Sequence, residues 1–328
     1  MKVLVTGGAG FIGSHLSEAL LAEGNEVWVI DNLSTGRIEN IQHLEREDGF
    51  TFIIDTIMNE PLLEEATKWS DQLYHLAAAV GVRLIVEEPI TTIETNIFGT
   101  ELVLKLANRY RKKAFIASTS EVYGKQPEQE TLAEGDNMVY GPTVNSRWSY
   151  ACSKAIDEFL ALAYYKRSRL PIVIGRLFNT VGPRQTGQYG MVLPTFVRQA
   201  LLGEPITVFG DGTQTRSFCY VSDVIWAMRT LMGHPETAGE IFNIGNDGEV
   251  SIRALAEMVK KKTNSPSEIV FLPYDVAYEP GFEDMRRRCP DITKIQAAIG
   301  YEPLVDLDGI LDRVIAYMRD ELTKEGLL

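Results

Sequence analysis

The chain is poor in cysteine, in histidine and in positive charge. Its three cysteines, Cys152, Cys219 and Cys289, are odd in number and far apart in 328 residues. That pattern excludes a disulfide framework and offers no metal-ligand spacing. No metal is expected, and a reducing, cytoplasmic setting is. With 32 basic against 45 acidic residues the formal charge is −13, which argues against a nucleic-acid surface. An anionic small ligand must then be held by a few locally placed arginines. Long hydrophobic runs are missing too: the apolar stretches are strand-length and broken by charge, so no membrane span is expected. The first residues enter a strand at once, without the basic region and apolar core of a signal peptide. No repeat or low-complexity segment is visible. What remains is an ordinary globular composition, 45% hydrophobic and 23% charged, at a length whose prior is about two domains.

Against that background one stretch stands out, Val3-Leu-Val-Thr-Gly-Gly-Ala-Gly-Phe-Ile-Gly13. It reads as a strand, a glycine turn and a helix opening at Phe11 and Ile12. Gly8, Gly10 and Gly13 match the dinucleotide fingerprint, and Gly7, Gly10 and Gly13 overlap it. Glycine is needed for a tight turn, for close approach of backbone to a pyrophosphate, and for close packing of helix on strand. The helix N-terminus then offers N–H groups to the phosphates. A second strand, Val27-Trp-Val-Ile30, ends at Asp31, where a carboxylate accepts from an adenosine ribose hydroxyl. Asn32 and Arg37 lie in the polar loop that follows. Arg37 is placed to reach an adenosine phosphate, but Asp31 would repel a 2′-phosphate, so the expected cofactor is NAD rather than NADP.

Strand and helix then alternate. Phe52–Ile54 reads as a third strand, followed by Asp55 and Thr56. Gln72–Ala78 reads as a fourth, running into Leu76, Ala77 and Ala78, where small residues let backbone lie close to a ligand. Helical spacing over 93–110 is followed by a fifth strand at Ala114–Ser118, a helix at Trp148–Lys166 and a sixth strand at Ile172–Leu177. The expected fold class is therefore α/β: a Rossmann-type doubly wound parallel sheet with a smaller α/β C-terminal substrate domain. The NAD-binding domain is expected over 1–176, with segments near 218–245 returning to it, and the substrate domain over 177–328. Ligands should meet in the cleft outside the carboxyl ends of the strands.

Two motifs carry chemistry. Ser118-Thr-Ser-Glu121 stands at the end of the fifth strand, and Tyr150-Ala-Cys-Ser-Lys154 opens a helix. Tyr150 and Lys154, four residues apart, share a helical face. An ammonium beside a phenol favours phenolate and is expected to lower the pKa of Tyr150. Such a tyrosine takes a proton from a substrate alcohol while a nicotinamide takes hydride, and a hydroxyl from Ser118, Thr119 or Ser120 shares that proton. Alone, Tyr-x-x-x-Lys is an ordinary surface pair; after a dinucleotide half-domain it reads as catalytic.

Taken together these motifs resemble the extended short-chain dehydrogenase/reductases that modify nucleotide sugars, over nearly the whole chain. The resemblance implies Asp31 on the adenosine ribose, Asp55 and Ile57 near adenine, Ala77 and Asn96 near the cofactor, and Tyr150 with Lys154 as the catalytic pair. It implies Asn179 on the substrate and Arg216 on its diphosphate. Val192, Leu193 and Pro194, with Val208 and Phe209, match the part that holds the nucleobase, although Val208 and Phe209 read equally well as core strand. Arg184 is a further substrate-side cation. Ser120-Glu121, Arg147-Trp-Ser-Tyr150 and the segment from Gly281 to Asp291 are similar to UDP-glucuronate decarboxylases and apiose/xylose synthases. That likeness puts Arg288 near the sugar carboxylate or diphosphate, with Arg147 a further candidate and Asp284 orienting it. Of Arg286, Arg287 and Arg288, at least one should point inward. The chain departs from the xylose-forming group at Tyr-Ala-Cys-Ser-Lys, where that group commonly has Tyr-Asp-Glu-Gly-Lys.

The resemblance implies decarboxylation of UDP-glucuronate to UDP-xylose through a 4-keto sugar, with Tyr150 at the 4-hydroxyl and Glu121 and Ser120 acting at C5. A UDP-sugar 4-epimerase, a nucleotide-hexose 4,6-dehydratase and a non-catalytic NAD-sensing scaffold remain alternatives. It further implies a homodimer, paired through the helices near 93–110 and 148–166.

Overall fold

The structure, a computed structural model, describes residues 1–80, 89–126, 131–187, 191–273 and 285–328. Seven parallel strands make the main sheet. Six of them are β1 (Lys2–Thr6), β2 (Glu26–Asp31), β3 (Phe50–Ile54), β4 (Gln72–His75), β5 (Lys113–Thr119) and β6 (Ile172–Leu177). The spatial order is β3-β2-β1-β4-β5-β6, closed at the far edge by the late strand Glu240–Ile244 on β6. The doubly wound parallel sheet expected from the alternation is present, and its strand order reverses between β1 and β4.

Period-two alternation decides which face each side chain serves. Val3 and Val5 of β1 join Val27 and Val29 in one core with Leu16, Leu20, Val224 and Met228. Leu4, between them, joins Ile30, Leu73, Leu63, Val103 and Leu104 in the core on the other face. Both faces of the sheet are covered, as continuous apolar strands require. Helices Phe11–Ala22 and Val221–Gly233 cover one face; Glu60–Trp69, Pro89–Tyr110 and Trp148–Ser168 cover the other. Asn59 caps helix Glu60–Trp69, accepting from Leu62 N–H, with Pro61 in its first turn.

A third core lies off the carboxyl ends of the strands. Helices Val192–Leu202, Ile252–Thr263 and Leu307–Lys324 enclose it around the parallel pair Ile206–Phe209 and Ile269–Leu272. Beside it a small sheet pairs Thr215–Ser217 with Glu249–Ser251 and with Arg287–Arg288. Its register sets Arg288 directly against Arg216. Among the described residues no helix is long and apolar enough to cross a membrane.

Candidate active site

At the reversal of strand order lies a cavity of about 780 Å³. Its first wall is the glycine turn. The chain leaves β1, turns at Gly7 with φ +74°, and enters helix Phe11–Ala22, which no side chain caps. A Cβ on Gly7 would meet Ala77 N at 2.6 Å, and one on Gly13 would meet Gly7 O at 2.1 Å. Bare backbone therefore packs directly against helix and strand. At the end of β2, the Asp31 carboxylate accepts N–H groups from Ala9 at 2.9 Å and Leu33 at 2.8 Å. Burial pushes its pKa up, against those N–H groups. An uncapped helix N-terminus, a glycine-rich turn whose one methyl, on Ala9, is buried, and a carboxylate one strand away fit a dinucleotide with a free ribose hydroxyl.

Gly7, Gly10, Phe11, Ile12, Asn32, Arg37, Asp55, Thr56, Leu76, Ala77 and Ala78 all line this part of the cavity. Asp55 holds its own loop, accepting from Thr56 N–H and from the Asn59 amide, both at 2.7 Å. Asn96 does not line it. Buried at 1% exposure, its amide binds Ala79 N–H at 2.9 Å and Ser153 Oγ at 3.2 Å, so it fixes the cavity wall from behind.

The second wall is built where β5 ends. Thr119 caps the short turn Ser120–Tyr123 by accepting from Glu121 N–H. Ser118, Thr119, Ser120 and Glu121 face the same cavity as Tyr150 and Lys154 from helix Trp148–Ser168. Behind them Ser118 donates to Glu158, whose carboxylate takes two bonds from Arg176, at 2.9 and 2.7 Å. The Arg176 guanidinium lies over the Tyr123 ring, 4.7 Å from its centre. This buried network locks the turn that presents the hydroxyls.

The expected lowering of the Tyr150 pKa is not found. Burial pushes the phenol well above its ordinary value, and Glu121 and Asp157 add to the rise; the Thr119 hydrogen bond and Arg288 oppose it. The Lys154 ammonium is engaged by Asp157, 2.8 Å from its Oδ2. Desolvation by burial is the largest influence on the phenol, ahead of every neighbouring charge.

The third wall is cationic. Arg147, Arg216 and Arg288 line the cavity, and each is less than a tenth exposed. Arg288 Nη2 lies 2.8 Å from Glu121 Oε1, and Arg147 Nη1 lies 3.0 Å from Glu121 Oε2. Burial alone would raise the Glu121 pKa; Arg288, Arg147 and Arg216 prevail and bring it down to about 2. Of the basic run, Arg288 points inward and Arg287 turns out to pair with Glu249. Asp284 lies outside the described residues.

Asn179, with φ +30°, lines the cavity and donates to Ser217 O at 2.8 Å. Val192, Leu193 and Phe209 line the far end, but Val208 does not: fully buried, it belongs to the third core, as its alternation with Phe209 dictates. Arg184 reaches the cavity with its guanidinium drawn onto Glu18 and Ser14 of the first helix. Thr95, Gln185, Thr186 and Gln214 also line the cavity without having been singled out in the sequence. They sit in segments whose position depends on chain far away, and no local spacing marks them.

The family described as NAD dependent epimerase/dehydratase matches residues 3–245. The chain is 40% identical over 320 residues to a UDP-N-acetyl-alpha-D-glucosaminuronate decarboxylase of Bacillus cytotoxicus, covering 97% of this chain and 98% of that one. It is 39% identical over 325 residues to UDP-glucuronic acid decarboxylase 1 of Xenopus tropicalis, covering 99% and 74%. Among solved structures, the UDP-glucuronic acid 4-epimerase of Bacillus cereus, in complex with UDP-glucuronic acid and NAD, superposes with a TM-score of 0.88 at 33% identity. That match covers 98% of this chain and all of the other.

Proposed function

The chain belongs to the NAD-dependent epimerase/dehydratase family, and we propose that within it this enzyme decarboxylates UDP-glucuronate to UDP-xylose through a transient 4-keto sugar. The observation that carries this reading is the pair of buried arginines, Arg147 and Arg288, set beside Tyr150 and the Ser118–Glu121 turn. Glu121 balances only one of these two charges, and a hexuronate carboxylate supplies the second anion that a neutral hexose ring lacks.

The chemistry follows from what each group can do. When bound, NAD supplies the two-electron oxidation at the sugar C4 and its reversal. Tyr150 takes the proton from the 4-hydroxyl and returns it at the end, with Thr119 and Ser120 hydroxyls at the same oxygen. Once C4 is a ketone, the C5 carboxylate is that of a β-keto acid. Its carbon–carbon bond breaks to release carbon dioxide, and the electron pair delocalises onto the C4 oxygen. Glu121, with Ser120, steers a proton to C5. The sum is UDP-glucuronate and one proton giving UDP-xylose and carbon dioxide. Arg288 and Arg147 hold the carboxylate, Arg216 the diphosphate, Asn179 the sugar, and Val192, Leu193 and Phe209 the nucleobase. Asp31, Asp55 and the glycine turn hold the cofactor.

The Bacillus relative, matched almost end to end, favours a second substrate of the same class, the 2-acetamido uronate. Incubation of the protein and NAD with each UDP-uronate, with carbon dioxide and nucleotide-sugar mass as readouts, separates the readings. No carbon dioxide from either sinks the decarboxylase; UDP-galacturonate as product makes it a 4-epimerase. A stable 4-keto-6-deoxy product from a neutral nucleotide-hexose makes it a 4,6-dehydratase.

We further propose a cytoplasmic homodimer of two-domain subunits, divided near residue 177 with 218–245 returning to the first domain. Support for the dimer comes from helices Pro89–Tyr110 and Trp148–Ser168, which pack together and expose Ile90, Ile93, Phe98, Ile156 and Phe159. A monomeric mass at micromolar concentration would count against it.

A further inference from the structure

Asp157 has no task in the chemistry above, yet it sits in the catalytic helix one turn beyond Lys154 and is fully buried. Its Oδ2 lies 2.8 Å from the Lys154 Nζ, and the two side chains are 1% and 3% exposed. A buried ion pair is a poor way to stabilise a helix, since an apolar residue of similar volume usually does as well. Its placement is what singles it out. Tyr150 stands four residues before Lys154 and Asp157 three after it, so all three follow one face of the helix.

We propose that Asp157 is a positioning residue for the catalytic pair: its carboxylate fixes the Lys154 ammonium and offsets that charge at the Tyr150 phenol. With a lone lysine, the phenol would meet a full positive charge. With Asp157 in contact, it meets a compensated pair and keeps its proton to higher pH. Tyr150 is thereby biased toward the protonated form that returns the proton to the sugar, and its loading as a base must come from the bound ligands.

The other groups around the pair leave room for this effect. From the turn after β5, Thr119 and the Glu121 carboxylate face Tyr150, and Arg288 faces it from its own short strand. Glu121, held near a pKa of about 2, stays charged over the working range. On the catalytic helix, Glu158 faces Asp157 but is itself bound to Arg176. From helix Pro89–Tyr110 the Thr100 hydroxyl favours the charged form of Asp157. From β4, His75 meets Thr100 at 3.1 Å; burial, then Lys154, pushes it down to about 3, so it carries no charge near neutrality.

The test is kcat/KM against pH for the wild-type enzyme, Asp157→Asn and Asp157→Glu, with NAD saturating. Asparagine keeps an acceptor for the ammonium and removes the charge. Its acid limb is expected roughly one pH unit lower, the shift Coulomb's law gives for one charge about 10 Å away at an effective dielectric near 20. Asp157→Glu is expected to bring the limb back to the wild-type position. NAD affinity by calorimetry should stay close to wild type in Asp157→Asn, since the ammonium keeps its hydrogen bond. An acid limb that coincides with wild type, or moves up, overturns the proposal whatever happens to kcat. Should Asp157→Asn not fold, Asp157→Ser, with room for a water, carries the same expectation. The proposal rests on the decarboxylase reading only for its substrate. Failure of wild type to release carbon dioxide sinks that reading alone, and the limb is then read on whichever UDP-sugar is epimerised or dehydrated.

Discussion

Glu121 and Arg288 face each other 2.8 Å apart in the cavity wall, their side chains 13% and 11% exposed. One comes from the turn after β5, the other from a two-residue strand more than 160 positions later. The contact ties the small sheet of Thr215–Ser217, Glu249–Ser251 and Arg287–Arg288 to the end of β5, and its strength depends on pH. The folded-state pKa of Glu121 is near 2, below its ordinary value of 4.5. The stabilisation is therefore present above about pH 4.5 and lost as pH falls from there towards 2. It amounts to roughly 3 kcal/mol at neutral pH. Glu121→Gln should lower Tm clearly at pH 7, and the gap from wild type should narrow by pH 3. A gap that stays constant with pH would show the carboxylate to be uncoupled from the arginines.

Arg288→Ala should discriminate between ligands. Losing a charge-assisted hydrogen bond costs about 1.5–3 kcal/mol, so UDP-glucuronate affinity should fall at least tenfold. UDP-glucose, which has no carboxylate, should lose much less. Calorimetric titration of both onto the NAD-loaded variant decides it, and equal losses would move Arg288 from the sugar carboxylate to the diphosphate.

Tyr150→Phe removes the proton carrier and little volume. Turnover should fall by about 10²–10⁴, the span of a positioned acid–base group. Tm and NAD affinity should stay near wild type, because phenylalanine keeps the ring and its packing. A variant retaining most of its turnover would support the scaffold alternative instead.

Gly13→Ala tests the turn itself. Its Cβ would lie 2.1 Å from Gly7 O and 2.7 Å from Gly8 Cα, and backbone has nowhere to yield. A destabilisation of about 1–3 kcal/mol is expected from overpacking, with a marked loss of NAD affinity as the helix is levered off the turn. Thermal melts with and without NAD measure both effects.

The first half of this architecture is readable from sequence because its signals are local. Val3, Leu4 and Val5 announce a doubly buried strand, the glycines announce the turn, and Asp31 follows at a fixed spacing. Tyr150 and Lys154 share a face for the same reason. What sequence leaves dark depends on contacts between distant segments. Nothing near Val208 says that Phe209, not Val208, meets the cavity, because that choice is set by which side of one strand the third core occupies. Nothing near Tyr150 says that burial dominates its proton affinity. Nor does the spacing of Asn96 reveal that it works through Ala79 and Ser153, since those partners lie 17 and 57 residues away.

The strand Glu240–Ile244 closes the sheet on β6, and that has a consequence for how the protein is made. A chain emerging from the ribosome can pair β1 to β6 in turn, but the edge of β6 stays bare until some 65 further residues have been synthesised. An unpaired parallel edge is a template for another chain. The nascent protein is thus most exposed to misassembly while residues 178–239 emerge. A truncation ending in that interval should aggregate even though the whole glycine turn and catalytic pair are already present.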